Sequence, residues 1–209
     1  PRTDLQGPAM TDAIHSIDAS ALNAAGCSAY TYMLRSYEPF LRAPYNQFAE
    51  TRSGPNTGFN FLTGVGGFLQ VFEYGYSGLR FTPNAVVLDP SLSPQLQGIT
   101  LNNLQWQGRA FTVSIGLTST TVSLTSGSAM PVQTPAGLVT VAPGQSITMS
   151  TRRPDLQHTS DLARCQAASA SSYVPGDEPV AAVDGSTASP PPHRPRSPCN
   201  WPRVRPSPP

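Results

Sequence analysis

The sequence predicts an α+β chain: a helical N-terminal stretch, then an antiparallel β unit, then a proline-rich end. Three observations carry this. Apolar residues recur at helical spacing up to about residue 76, alternate with period two in the stretch after Arg80, and give way from Ser189 onward to prolines interleaved with arginines. The 209 residues are 38% hydrophobic and 12% charged, with thirteen arginines and no lysine. Four of those arginines (Arg194, Arg196, Arg203, Arg205) fall in the last sixteen residues, so a formal net charge of +1 leaves the preceding body slightly acidic. Such a body does not bind nucleic acid by electrostatics. The longest apolar runs are four or five residues, as at 85–88, against the roughly 20 that a membrane span requires. Residues 1–10 have neither the basic start nor the apolar stretch of a secretion signal. The chain is therefore expected to be cut or processed, and that end gives no compartment.

In the first helix Ile14, Ile17, Ala21 and Leu22 form the expected apolar stripe, with Asp12 near the start and Gly26 as a stop. Tyr30, Met33, Leu34 and Tyr37 define a second helix, which Pro39 limits by lacking a backbone donor. The two form a short antiparallel pair. From Leu41 to Asn60 periodicity is lost, and Pro44, Pro55, Gly54 and Gly58 mark a long ordered loop. Val65, Phe68, Leu69, Phe72 and Tyr76 restore a helical stripe, opened by a glycine-rich turn from Thr63 to Gly67 and closed by Gly75 and Gly78. Beyond Arg80, Phe111, Val113, Ile115 and Leu117 alternate with polar or small residues, as do Val122 with Leu124 and Ile147 with Met149, and the first four are expected on one buried face. Turn signals at Gly98, Gly108, 126–128, 135–137 and 143–144 are spaced as in a small sandwich or half a jelly roll ending near Arg153. A polar linker and a serine- and alanine-rich stretch with Cys165 follow, where a new domain is expected to begin. After Ser189 nine of the last twenty residues are proline, the composition of a disordered tail.

Cys27, Cys165 and Cys199 are too few and too scattered for a disulfide scaffold or a structural zinc site, and at least one thiol lacks an intramolecular partner. Glu50 lies among Tyr45, Asn46, Gln47, Phe48, Arg52, Asn56 and Asn60. Carboxylate, amides and aromatic faces together suit a sugar, whose hydroxyls need planar polar partners while its C–H face stacks on a ring. The plainer alternative is a surface glutamate paired with Arg52. Gly64, Gly66 and Gly67 imitate a dinucleotide fingerprint, but no strand precedes them and Leu69 takes the place of the third glycine. They either expose backbone N–H groups to a ligand oxygen or let a helix pack closely. His15, His158 and His193 fall in separate segments, so His15 reads as a solvated or hydrogen-bonded histidine and no metal or cofactor is expected. No nucleophile-elbow pattern occurs.

The run from Asn60 to Gln70, then 75–80, resembles the end of the catalytic barrel of glycoside hydrolase family 65. Gly7 to Thr11 and the stretch from Tyr37 to Glu50, with Arg42, Ala43, Pro44 and Phe48, are similar to its fungal acid trehalase branch. The resemblance covers about residues 4–153. It implies that 1–80 are the last helices of an (α/α)6 barrel and 81–153 an antiparallel C-terminal β-sandwich. A whole barrel of twelve helices needs well over 200 residues, so the chain would be a C-terminal fragment. The family acts with inversion, one acid protonating the leaving oxygen while a second carboxylate activates water. Glu50 matches that second role, with Gln47, Thr63, Gly64, Gly66 and Gly67 binding substrate; the general acid has no counterpart here. Family phosphorylases commonly carry a histidine where this chain has Phe61, which favours hydrolysis. The implied partner is α,α-trehalose or a related α-glucoside, with kojibiose and glucosylgalactosyl substrates as alternatives and a cell-wall carbohydrate as a further partner. The implied site is extracellular, cell wall or vacuolar. Residues 161–166 and 181–185 look like the opening of a discoidin-like module, making 154–188 a linker and truncated module and leaving Cys165 without its partner, with 189–209 as tail. The competing reading is a non-catalytic carbohydrate-binding or scaffold protein.

Overall fold

The computed structural model describes residues 7–22, 26–53, 57–153 and 160–185. His158, His193, Asn56, Pro55, Gly54, Cys199 and the 189–209 tail lie outside these. Three α-helices come first: α1 (Thr11–Leu22), α2 (Gly26–Tyr37) and α3 (Leu62–Gln70), the last continuing as a π-helical segment over Val71–Tyr76. A 3-10 turn over Glu38–Phe40, with Pro39 inside it, ends α2. The loop expected at 41–60 contains a small antiparallel hairpin, β1 (Leu41–Arg42) with β2 (Gln47–Phe48), turned through Asn46 at positive φ.

The α1 stripe is displaced from the one its apolar residues suggested. Ala13, Ser16, Ile17 and Ser20 are buried, whereas Ile14 and Leu22 are exposed. The reason is close approach. Ser16 Oγ donates to Ala29 O at 2.8 Å, and a Cβ on Gly75 would lie 3.4 Å from the Ile17 backbone. Small side chains therefore face α2 and the π-helical segment, and the larger ones are left outside. Helix α2 is buried almost all round despite its polar composition, because its hydroxyls find local acceptors: Thr31 Oγ1 donates to Cys27 O and Ser36 Oγ to Met33 O.

The β unit comprises β3 (Arg80–Phe81), β4 (Val86–Val87), β5 (Ile99–Trp106), β6 (Arg109–Ile115), β7 (Ser119–Ser126), β8 (Met130–Thr134), β9 (Gly137–Val141) and β10 (Ser146–Ser150). One sheet runs β10-β7-β6-β5, antiparallel throughout; the other runs β3-β4-β8-β9. The expectation of a wholly antiparallel unit fails at β4–β8, where Val86 pairs with Val132 in parallel. Phe111, Val113, Ile115, Val122 and Leu124 from the first sheet share one core with Val86, Met130, Val132 and Val141 from the second. Leu117 does not join it: β6 ends at Ile115, the chain turns at Gly116, and Leu117 is 44% exposed.

The helical and β parts are joined at Gly78, whose φ of +62° favours glycine. A Cβ there would come within 2.4 Å of Asp89 O. Arg152 closes the same junction, donating through Nε to Asp89 Oδ1 at 2.7 Å and through Nη2 to Ser20 O at 3.1 Å. Cys165 is corrected as well: it forms a disulfide with Cys27, Cα–Cα 5.7 Å, at the start of α2. Among the described residues 160–185 contribute no strand; a 3-10 turn over Pro179–Ala182 packs on α2, and the buried Arg35 donates through Nε to Gly176 O at 2.7 Å.

Candidate functional site

Glu50 follows β2 and is held by its backbone. Its N–H donates to Gly58 O at 2.9 Å, closing the 50–58 loop, and its carbonyl accepts from Ala9 N at 2.9 Å. The carboxylate lies over Gly58, where a Cβ would sit 3.3 Å from Glu50 Oε2. The half-buried side chain has no ion pair among the described residues. The alternative of a Glu50–Arg52 pair is thereby removed: Arg52 Nη2 reaches Asp12 Oδ2 at 3.4 Å, and its guanidinium lies 5.7 Å from the Phe40 ring centre. Burial raises the Asp12 carboxyl above its ordinary range, opposed by Arg52, Arg35 and His15. His15 sits 3.9 Å from Asp12 and edge-on to Tyr32.

Thr63, Gly64, Gly66 and Gly67 do not form a turn. All four lie inside α3, and the N–H groups of Gly64 and Val65 both donate to Phe61 O at 3.1 Å. The glycines act largely through lack of bulk. A Cβ on Gly64 would lie 2.7 Å from Phe48 Cε1 and 2.8 Å from Ala9 O, and one on Gly67 would meet Ala13 at 3.4 Å, while Gly66 has open space. Ala9 thus bridges the site, bonded to the Glu50 carbonyl on one side and pressed against Gly64 on the other. Gln47 sits in β2 opposite Arg42, half-buried, and Thr63 is exposed in the first turn of α3.

Arg42, which the sequence marks only through the family resemblance, organises the whole loop. Its guanidinium donates to the carbonyls of Pro39, Leu41, Thr51 and Arg52 at 2.6–3.0 Å. One cation satisfying four carbonyls fixes both ends of the 39–52 segment, and hence where Glu50 sits. An open cleft of about 500 Å³ adjoins it, lined by Asn46, Phe48, Asn60, Leu62, Val65 and Phe68 among others. None of the six predicted site residues lines that cleft. The structure offers one half-buried carboxylate over Gly58, with Asn46, Asn60 and Phe48 in the cleft nearby; a lone carboxylate is half of an acid–base pair.

Among the described residues no helix is long and apolar enough to cross a membrane, and no group of three or more His, Cys, Asp or Glu side chains could hold a metal ion. Residues 79–141 match the family described as glycosyl hydrolase family 65, C-terminal domain. The chain is 35% identical over 88% of its length to the cell wall acid trehalase of Arthroderma benhamiae, and 32% identical over 90% to the acid trehalase of Emericella nidulans. It spans about a fifth of the length of both relatives. A putative kojibiose phosphorylase from the human microbiome has a similar fold over 68% of this chain and 17% of its own, with a TM-score of 0.52 and 14% identity.

Proposed function

We propose that the chain is the C-terminal part of an inverting glycosidase of glycoside hydrolase family 65 that hydrolyses α,α-trehalose to two glucose molecules. The observation that carries this reading is similarity to two acid trehalases along nearly nine-tenths of the chain, through the helices and the β unit alike. In this proposal residues 1–80 complete an (α/α)6 barrel and 81–153 are the β-sandwich that follows it. Glu50 is the general base, Gln47 and Thr63 face the sugar, and Gly64, Gly66 and Gly67 let α3 approach closely enough to shape the pocket. The general acid comes from a part of the enzyme outside this chain. An extracellular or cell-wall location accords with the relatives' names and with a disulfide, which persists in oxidising compartments. The discoidin-like reading of 154–188 is not part of the proposal, because the described residues there are anchored to α2 by Cys165 and Gly176.

The test joins this chain to the missing N-terminal portion of a fungal acid trehalase and follows trehalose cleavage by proton NMR. Inversion gives one β-glucose and one α-glucose at the earliest time points, at a rate independent of phosphate. Initial release of α-glucose alone, or a need for phosphate, contradicts it.

A further inference from the structure

A second cavity, of about 640 Å³, lies between α2, the segment after Cys165 and the loop at Gln95. Its chemistry is one-sided. Two carboxylates, Glu38 and Glu178, and three tyrosines, Tyr30, Tyr37 and Tyr173, are among its walls, and among the described residues no arginine or histidine lines it. Glu178 is only 3% exposed. Its Oε1 accepts from Gly176 N at 2.5 Å, while Oε2, buried, has no hydrogen-bond partner among the described residues. Gln95 Oε1 is likewise buried and unpartnered. Two orphaned acceptors on the walls of one cavity call for a donor. Arg35, also buried, donates to Gly176 O and is not among the residues lining the space, though its charge acts on Glu178.

From this geometry we infer that the cavity binds a small organic ammonium ion, its N–H groups donating to Glu178 and Gln95 and its charge held between two carboxylates and the tyrosine faces. A neutral polyol satisfies the orphaned oxygens but adds no charge to the partial compensation that Arg35 gives Glu178; an ammonium does both. Aromatic faces add attraction for a cation that they do not offer a hydroxyl. Burial, with a smaller push from Glu38, raises the Glu178 carboxyl to about 7 against the backbone N–H groups of Glu178 and Gly176 and the charge of Arg35. The site is separate from Glu50 and does not depend on the glycosidase reading.

The experiment uses the full 209-residue chain with n-butylammonium as probe and butan-1-ol as neutral isostere, followed by calorimetry at pH 8. The site predicts saturable 1:1 binding of the ammonium, at least tenfold tighter than the alcohol. Glu178→Gln keeps an acceptor for Gly176 N but removes the charge, and should weaken binding tenfold or more. Tyr173→Ala alters a half-exposed ring that the fold does not need and should weaken it severalfold, with circular dichroism unchanged. Equal binding of alcohol and ammonium, no binding of the ammonium, or full affinity in both variants would overturn the inference.

Discussion

Gly64 shows how a single missing atom group sets the site. Its neighbours within 3 Å of a would-be Cβ include a backbone carbonyl, which cannot step aside as a flexible side chain can. Gly64→Ala should therefore destabilise the chain by about 1–3 kcal/mol, the usual cost of overpacking, seen as a lowered urea midpoint with unchanged slope. Gly66→Ala, in open space, should be neutral or slightly stabilising through helix propensity. Reversal of that order would mean that α3 does not lie against Ala9 and Phe48. Glu178 supplies a pH dependence at the same scale. Its carboxyl is raised from 4.5 to about 7, so the fold favours the protonated form. Below about pH 4.5 both folded and unfolded chains hold the proton and the full stability is present. Between there and pH 7 the unfolded chain ionises while the fold retains its proton, and stability falls, by on the order of 1–2 kcal/mol allowing for solvent screening. Thermal melts from pH 4.5 to 8 should show this decline, and Glu178→Gln should flatten it; an unchanged slope in the variant would assign the decline to other groups.

At the scale of elements, periodic segments were legible and contact-dependent ones were not. Strands β6 and β7 alternate because one face of each is buried against a second sheet, and that face is written in Phe111, Val113, Ile115, Val122 and Leu124. Strand β4 is two residues long, too short to show a period, so its parallel pairing with β8 had no sequence signal. Helix α1 misled for a different reason: serines and alanines at a close helix contact look polar or indifferent in a hydrophobic pattern, while Ile14 and Leu22 look like core. The Cys27–Cys165 bridge was also invisible, since three cysteines allow three pairings and the partners are 138 residues apart. A loop of that length gives the bridge about 5 kcal/mol in the chain-entropy model, with 2–5 kcal/mol commonly measured for native disulfides. Mild reduction, or Cys165→Ser, should lower the melting temperature by several degrees and open 160–185 to limited proteolysis while 79–153 stays intact. Unaltered cleavage at 160–185 after reduction would show that Arg35 and the Pro179–Ala182 turn hold the segment unaided.

For the whole molecule, the helices and the β unit form one joined body through Gly78, Asp89 and Arg152, while Leu62 and Leu69 of α3 stay largely exposed. In the proposed reading, that exposed face of α3 packs against further helices of the barrel. Of the candidate site, the close packing at Gly64 and Gly67 was legible in the glycines themselves, while the role of Glu50 stays a proposal carried by resemblance; the Arg42 clamp and the helical state of the glycines required the fold. The central claim is that Glu50 is a general base. The direct measurement is steady-state hydrolysis of trehalose by this chain joined to the N-terminal portion of a fungal acid trehalase, with Glu50 or with Glu50→Gln, in the presence and absence of azide. The account predicts a fall of roughly 10² to 10⁴-fold in kcat for the variant, substrate still bound, and partial recovery by azide with β-glucosyl azide as product. A Glu50→Gln enzyme that hydrolyses trehalose at close to the parental rate would contradict it and place the base on another carboxylate.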